Sequence, residues 1–262
     1  MSMKNLILLM TVFMTQAFAL DFELITNEPG LAGGQSTVIE DKFLELLDQT
    51  PAGESVYLNI YGMKMPHIAT AIVAAKARGV LVHILMRPFK DEKSLESYFI
   101  LEPAFPGDDG STLSICGLFC SATAFNHNKF MLFSKLNDGT ENIAIHTSNN
   151  FWDDERNNYN DFLIIKNNNG LYNQLKDYFT HLKKGKWGNW NKSFSKEIDD
   201  EISMFTFPSS RTRRTSGPRG RWVRAKKVNP MLDIMDSVTC TPGAKVYLAH
   251  SRFTDDRVEA AQ

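Results

Sequence analysis

Apolar positions near the start of the chain recur with a helical period after Thr37. Thr37 and Glu40 match a capping-box pattern, in which side chains bond the free amides at a helix start. The following apolar residues fall on one face of the predicted helix: Val38, Ile39, Phe43, Leu46 and Leu47. Pro51 and Gly53 then break the period.

A strand–helix–strand pattern follows this helix. The apolar run "SVYLNI" (55–60) predicts a buried strand, and "VLVHILM" (80–86) predicts a second one. Between them, "PHIATAIVAAKARG" (66–79) predicts a helix that begins at Pro66 and ends at Gly79. This order predicts a βαβ unit and a sheet that is at least partly parallel.

The next part of the chain predicts a loop, three strands and a helix. Residues 102–124 are rich in Gly, Pro, Asp and Ser, which predicts a loop. Strands are predicted for "KFMLFS" (129–134), "NIAIHTS" (142–148) and "DFLIIK" (161–166), with "NDG" (137–139) as the hairpin turn between the first two. Residues 170–185 predict a helix with one apolar face: Leu171, Tyr172, Leu175, Tyr178, Phe179 and Leu182.

Composition is that of an ordinary globular protein, and the N-terminus predicts export. The chain has 262 residues, 43% apolar and 23% charged, with a formal net charge of -1, so overall charge indicates no particular partner.

The N-terminus has the pattern of a signal peptide over residues 1–19: a positive Lys4, an apolar run over 6–13 and a small-x-small sequence at 17–19. The alternative is a buried N-terminal strand or helix. Export predicts a soluble protein that is secreted or periplasmic.

The three cysteines allow one disulfide in such a compartment. Cys116 and Cys120 in "CGLFC" are close enough to bridge if this segment is a loop, which leaves Cys240 over. The same spacing occurs in metal sites, but no second cysteine pair or histidine cluster completes one. We therefore predict the Cys116–Cys120 disulfide and no metal site.

Composition changes near the end of the chain. Residues 209–228 hold eight basic residues and no acid, which suits either contact with a polyanion, such as nucleic acid or anionic lipid, or a solvated loop. Residues 229–240 predict a short helix. "KVYLAHSRFTDDRVEAAQ" (245–262) aligns without gaps to "SVYLNIYGMKMPHIATAI" (55–72). This match predicts a second copy of the fold that begins at about residue 241; the alternative is a chance match. The predicted organisation is a signal peptide (1–19), a first repeat (20–208), a basic linker (209–228) and the start of a second repeat (229–262).

"FNHNKFMLFS" (125–134) carries the candidate chemistry. His127 and Lys129 are two apart, so in a strand they point the same way. A neutral imidazole beside a fixed positive charge suits an anionic phosphate ester, with the imidazole attacking phosphorus or transferring a proton. The alternative is a solvated strand face. The returning strand of the hairpin brings Ser148 and Asn150, as hydrogen-bond donors to phosphate oxygens, beside this pair.

These residues resemble the motif of the phospholipase D superfamily, H-x-K-x4-D followed by G-[GS]-x-N. The resemblance covers residues 20–205, resumes at 241, and is closest to secreted bacterial phospholipase D-like proteins. Ser134 stands where the motif has aspartate, and Thr147 stands where it has glycine. The resemblance implies an α/β fold with a mixed sheet flanked by helices, one complete repeat followed by the start of a second.

The resemblance also implies a two-step phosphodiesterase that needs no metal or other cofactor. One motif histidine, here His127, forms a phosphohistidine, and the histidine of a second motif protonates the leaving alcohol, while Lys129 and Asn150 hold phosphate oxygens. His250 is not that second histidine, because the repeat aligns it with Ile60. The second motif is therefore expected from a homodimer partner or from a missing C-terminal half.

Phospholipid head groups, reached at a transient membrane contact, are the predicted substrate. The alternatives are a metal-independent endonuclease of the same superfamily and a catalytically inactive phosphate-binding fragment. Among the acids after Asn150, Glu155 is predicted to orient a motif residue. The other histidines of the first repeat, His67 among them, have no lysine or carboxylate partner at an informative spacing.

Overall fold

The computed structural model describes residues 20–29, 34–87, 91–116, 126–184 and 196–206. Its central sheet has seven strands: β1 (Phe22–Thr26), β2 (Ser55–Ile60), β3 (Leu81–Met86), β4 (Thr112–Ile115), β5 (Phe130–Lys135), β6 (Glu141–Thr147) and β7 (Asp161–Ile165). The four α-helices of the described residues are α1 (Val38–Asp48), α2 (Pro66–Ala77), α3 (Glu92–Leu101) and α4 (Asn169–Lys184). A small hairpin pairs β8 (Lys196–Glu197) with β9 (Ser203–Met204).

The sheet is mixed, in the order β1-β7-β6-β5-β2-β3-β4. Strands β2, β3 and β4 are parallel, whereas β5, β6, β7 and β1 each run antiparallel to their neighbours. The predicted βαβ unit is confirmed, because β2 and β3 pair in parallel and α2 connects them. Gly79 ends this helix with a φ of 96°, a left-handed conformation that glycine adopts without steric cost.

Helices cover both faces of the sheet, which confirms the predicted α/β architecture. One core joins α1, α2 and the end of α3 to the sheet and includes Phe43, Ile68 and Phe133, all fully buried. The second core joins α4 to the opposite face and includes Tyr178 and Phe130. Burial of each such large apolar side chain contributes about 1.5–3 kcal/mol to stability. The helical face predicted for α4 is confirmed apart from Leu175, which is only partly buried.

The predicted β5–β6 hairpin is present, and its register places the candidate motif. Phe130 pairs with His146, and the backbone amide of Thr147 donates to the carbonyl oxygen of Lys129 at 3.2 Å. The end of β6 therefore lies beside the start of β5, as predicted.

The predicted capping box is wrong. The Thr37 side chain caps no backbone amide and instead donates to Asp41 Oδ2 at 2.7 Å. Glu40 is engaged by Arg156, a partner far away in sequence, so it is not available to cap. Val38 also departs from the predicted face, since 41% of its surface is exposed.

The loop predicted over residues 102–124 contains a strand. β4 has only four residues, two of them polar, and it forms because β3 offers a free parallel edge. β1 and α3 have no counterpart in the sequence prediction either. β1 is a short edge strand that pairs with β7, and its exposed Phe22 and Leu24 hide the alternation of a half-buried strand.

Several predicted features lie outside the described residues: the signal peptide (1–19), the basic linker (209–228), the second repeat (229–262), Cys120 and Cys240. Cys116 is buried and disulfide-bonded, while its pairing with Cys120 stays a prediction. Within the described ranges, no helix combines the length and apolarity that crossing a membrane requires.

Candidate active site

One edge of the sheet collects the polar residues of the motif. The carboxyl ends of β2, β3 and β6 meet the amino ends of β5 and β7 at this edge, as their pairing requires. The residues directly beyond these ends are Tyr61, Arg87, Ser148–Asn150, His127–Lys129 and Asn160. Sheet topology therefore gathers side chains that are up to a hundred residues apart in the chain.

His127 and Lys129 lie together just before β5. Lys129 Nζ donates to the carbonyl oxygen of His127 at 3.1 Å and lies 3.4 Å from the imidazole Nδ1 and 3.5 Å from Nε2. Asn126 and Asn128, which alternate with this pair along the chain, have other partners, since Asn126 donates to Asn59 and Asn128 contacts the Tyr178 hydroxyl. The predicted pairing of His127 with Lys129 is thus confirmed.

Burial changes the acidity of both groups. Lys129 is only 6% exposed, and desolvation lowers its pKa from 10.5 to about 8, against the opposing influence of Glu155. Desolvation also lowers the pKa of His127, helped by the positive charges of Lys129 and Arg87 and opposed by Glu155. The imidazole is therefore neutral and nucleophilic near pH 7, beside an ammonium group that is still mostly charged.

Glu155 is the acid that engages the predicted site. It is buried in the 3-10 turn Asp153–Asn157, and its Oε1 accepts a hydrogen bond from Asn150 Nδ2 at 2.5 Å. Asn158 and Asn160 donate to its other oxygen at 3.1 and 3.0 Å. Glu155 thereby holds the amide of Asn150, whose Oδ1 is buried and has no hydrogen-bond partner among the described residues.

Ser148 lies apart from the buried asparagine. β6 ends at Thr147, so strand alternation does not extend to Ser148 and Asn150. The Ser148 side chain is exposed; its hydroxyl donates to Asn160 Oδ1 at 3.1 Å and accepts from the amide of Asp161 at 3.0 Å. Its role as a phosphate ligand stays a prediction.

A buried carboxylate, Glu40, fixes the turn that carries Glu155. Arg156 donates to it through Nε at 2.9 Å and through Nη2 at 2.8 Å, which joins α1 to this turn. His67 Nε2 lies 2.6 Å from the same carboxylate, so the fold gives His67 a carboxylate partner that its sequence spacing does not indicate. Glu40 and His67 are 27 residues apart, which no local spacing rule detects.

Comparison with known protein families assigns the chain to one of them. A family model described as "Cardiolipin synthase, PLD-like domain" matches residues 44–183. The chain belongs to the phospholipase D-like family. Enzymes of this superfamily are generally phosphodiesterase hydrolases. Comparison with curated protein sequences gives no significant match.

Solved structures that are similar to this chain include the bacterial proteins Nuc and NucT. Nuc from Salmonella typhimurium, a phospholipase D family member, is 18% identical, with a TM-score of 0.47 over 64% of this chain and 96% of that chain. NucT from Helicobacter pylori is 19% identical, with a TM-score of 0.46 over 65% and 99%. Polyphosphate kinase from Porphyromonas gingivalis is 17% identical, with a TM-score of 0.44 over 63% and 26%.

Ser134, at the position of the family's motif aspartate, lies at the far end of β5 from His127. Its hydroxyl accepts from the amide of Ser55 at 2.7 Å and donates to Glu54 Oε2 at 2.6 Å. It therefore ties β5 to the start of β2. The described residues hold no group of three histidine, cysteine or acidic side chains placed to bind a metal ion.

Aromatic residues beside the phospholipase D-like motif were missed by sequence reasoning. Tyr61 contacts the His127 ring edge-to-face, with centroids 4.3 Å apart, and Trp152 lies 5.9 Å from Tyr61. Arg87 lies over Tyr61, with its guanidinium carbon 4.4 Å from the ring centroid. Tyr61 and Arg87 directly follow β2 and β3, and ligands in open α/β sheets bind beyond the carboxyl ends of strands. That rule could have pointed to Tyr61 and Arg87 from the predicted strand ends alone.

Gly62 allows Trp152 to approach the backbone beside the site. A Cβ at residue 62 would lie 2.9 Å from Trp152 Nε1. We expect Gly62→Ala to displace the indole and lower the free energy of unfolding by about 1 kcal/mol, measured by urea denaturation. Trp152→Phe removes the clashing atoms, so the alanine should cost less in that background. Equal costs in both backgrounds would contradict the steric explanation.

Proposed function

We propose that the protein hydrolyses phosphodiesters through a phosphohistidine formed on His127, with phospholipid head groups as the substrate. One observation carries this proposal: a neutral imidazole is held 3.4 Å from the buried ammonium of Lys129, at the edge of a phospholipase D-like sheet. A nucleophile and a cation at this separation can engage the same phosphate group.

In the first step, an imidazole nitrogen of His127 attacks phosphorus, and the bond from phosphorus to the leaving oxygen breaks. The leaving alkoxide takes a proton from the histidine of a second motif. In the second step that histidine removes a proton from water, the hydroxide attacks the phosphohistidine, and the phosphorus–nitrogen bond breaks. Hydrolysis thus consumes one water and regenerates both histidines.

Lys129 and Asn150 stabilise the charge that builds up on the phosphate oxygens. The Lys129 ammonium offsets negative charge in a site with little water, where such interactions are strong. Asn150 has a second amide hydrogen besides the one that it gives to Glu155. Glu155 acts as the positioning residue, because its carboxylate fixes the plane of that amide.

The histidine of the second motif is supplied by a second copy of the chain or by a second repeat of the same protein. In either case one catalytic centre forms between two equivalent repeats. We further propose that the protein acts outside the cytoplasm, on the basis of the predicted signal peptide over residues 1–19.

The same chemistry serves a second substrate, nucleic acid. The exposed Tyr159, beside the Glu155 turn, suits an interfacial contact with lipid and equally suits stacking on a base. The basic run of residues 209–228 suits either polyanion. Phospholipid is preferred because export and the resemblance to secreted phospholipase D-like proteins agree.

A paired assay tests the proposal. Choline release from phosphatidylcholine vesicles and nicking of supercoiled plasmid are measured side by side in EDTA, while light scattering reports the oligomeric state. We expect choline release by a dimer, with the His127→Asn protein as the inactive control. Nicking without choline release would make the protein a nuclease, and phosphate binding without turnover by a dimer would make it a binding protein.

A further inference from the structure

Arg87 is a cation beside the active site that forms no ion pair with any residue in the described part of the chain. It directly follows β3, and among the described residues its guanidinium makes no hydrogen bond or salt bridge. Its observed contact is with the ring of Tyr61, at 4.4 Å from the guanidinium carbon to the ring centroid. Stacking on an aromatic face holds a guanidinium in place and leaves its N–H donors at the rim free for an anion.

The same ring organises the proposed nucleophile. The centroid of Tyr61 lies 4.3 Å from that of the His127 imidazole and 5.3 Å from Lys129 Nζ. The separation between the Arg87 guanidinium carbon and the His127 ring centroid therefore cannot exceed the sum of their distances to the Tyr61 ring centroid. The positive charge of Arg87 is felt at the imidazole, because it contributes to lowering the pKa of His127, after desolvation and Lys129.

We propose that Arg87 is a second phosphate-binding cation of the active site, supported on Tyr61. It donates to a non-bridging oxygen of the phosphate that His127 attacks. A charge-assisted hydrogen bond of about 2.8 Å from the guanidinium, added to the width of one phosphate group, lies within this upper limit. The inference extends the proposed phosphodiesterase function, since it assigns a ligand to the phosphate of that reaction.

Arg87 and Lys129 differ as phosphate ligands. Burial lowers the pKa of Lys129 to about 8, so this ammonium begins to lose its charge in that range. A guanidinium instead presents a planar fork of N–H donors that matches two phosphate oxygens. Four neighbours act on the His127 imidazole together: Lys129, Arg87, the Glu155 carboxylate and the Tyr61 ring.

Binding of inorganic phosphate, measured by calorimetry on the whole chain, tests the assignment without requiring turnover. Arg87→Gln should weaken phosphate binding about tenfold, the effect of losing one charge-assisted hydrogen bond. Arg87→Lys keeps the charge without the planar fork and should recover part of the affinity. Lys135→Gln is the matched control, because it removes one positive charge at the far end of β5, where Lys135 pairs with Glu141.

The pKa of His127, followed by NMR of the imidazole Cε1–H, is the second readout. Arg87→Gln removes a repelling charge, so the pKa of His127 should rise, whereas in Lys135→Gln it should not change. Tyr61→Leu removes the platform and should weaken phosphate binding, while Tyr61→Phe keeps the ring and should bind more like the wild type. If Arg87 served only to pack against Tyr61, the pKa of His127 would not rise in Arg87→Gln relative to Lys135→Gln.

The outcomes separate the inference from the function on which it rests. Equal phosphate affinity and equal His127 titration in Arg87→Gln and Lys135→Gln would overturn the role of Arg87, even with full phosphodiesterase activity. Arg87-dependent phosphate binding in a protein that cleaves no phosphodiester would support the role of Arg87 and refute the proposed function. When turnover is present, Arg87→Gln should also shift the acidic limb of kcat/KM to higher pH.

Discussion

Replacement of His127 by asparagine is expected to lower kcat by roughly 10⁴ to 10⁶-fold, the usual effect of removing a covalent nucleophile. The amide of asparagine cannot attack phosphorus, so no phosphohistidine forms and the direct attack of water must replace the two-step route. Stability should change little, because His127 is exposed and its ring contact is with the partly exposed Tyr61. Choline release and thermal unfolding of both proteins measure the two effects.

His83→Asn provides the control for this experiment. His83 stacks on Tyr57 with centroids 4.6 Å apart, on the face of the sheet that packs against α4, so its loss should spare the active site. Turnover of His127→Asn at the wild-type rate would show that another group is the nucleophile. A phosphorylated peptide containing His127, trapped from the wild type during turnover, would support the assignment directly.

Replacement of Lys129 by methionine is expected to lower kcat by about 10²–10³-fold, because one preorganised charge on the transition state is lost. Methionine has a similar length and no charge, so it suits a position that is only 6% exposed. The free energy of unfolding should not fall, since the variant removes a buried ammonium whose charged form is disfavoured there.

The pH profile provides an independent test of Lys129. Burial lowers the pKa of Lys129 to about 8, so wild-type activity should decline as pH rises through that value and the ammonium loses its proton. On the acidic side, the His127 imidazole is neutral above a pKa that lies below 6.5, so activity should persist at pH 6.5. Lys129→Arg keeps its charge, and its alkaline decline should move to higher pH. An unchanged alkaline limb would assign that limb to another group.

Local sequence patterns were sufficient for the inner elements of the fold. β2, α2 and β3 have continuous apolar runs bounded by Pro66 and Gly79, and the structure follows these bounds within two residues. The same patterns did not predict the two outermost strands of the sheet. β1 and β4 are short and only partly buried, and each forms because a neighbouring strand offers hydrogen bonds, which is a tertiary effect.

The candidate site also has a part that local sequence patterns predicted and a part that they did not. Spacing predicted His127 beside Lys129, because residues two apart in an extended chain point to one side. The structure has this pair together although both residues lie just before β5. Spacing did not decide which acid among residues 153–155 faces Asn150; Glu155 does so because Arg156 and Glu40 fix its 3-10 turn from another helix.

The sequence by itself determined the βαβ unit, the β5–β6 hairpin and the pairing of His127 with Lys129, since each depends on neighbours in the chain or on one short connection. Only the tertiary structure decided the surroundings of that pair. Tyr61 and Arg87 reach His127 because parallel β2 and β3 end at the edge where antiparallel β5 begins. The lowered pKa values of Lys129 and His127 likewise follow from burial, which is a property of the packed sheet and its loops.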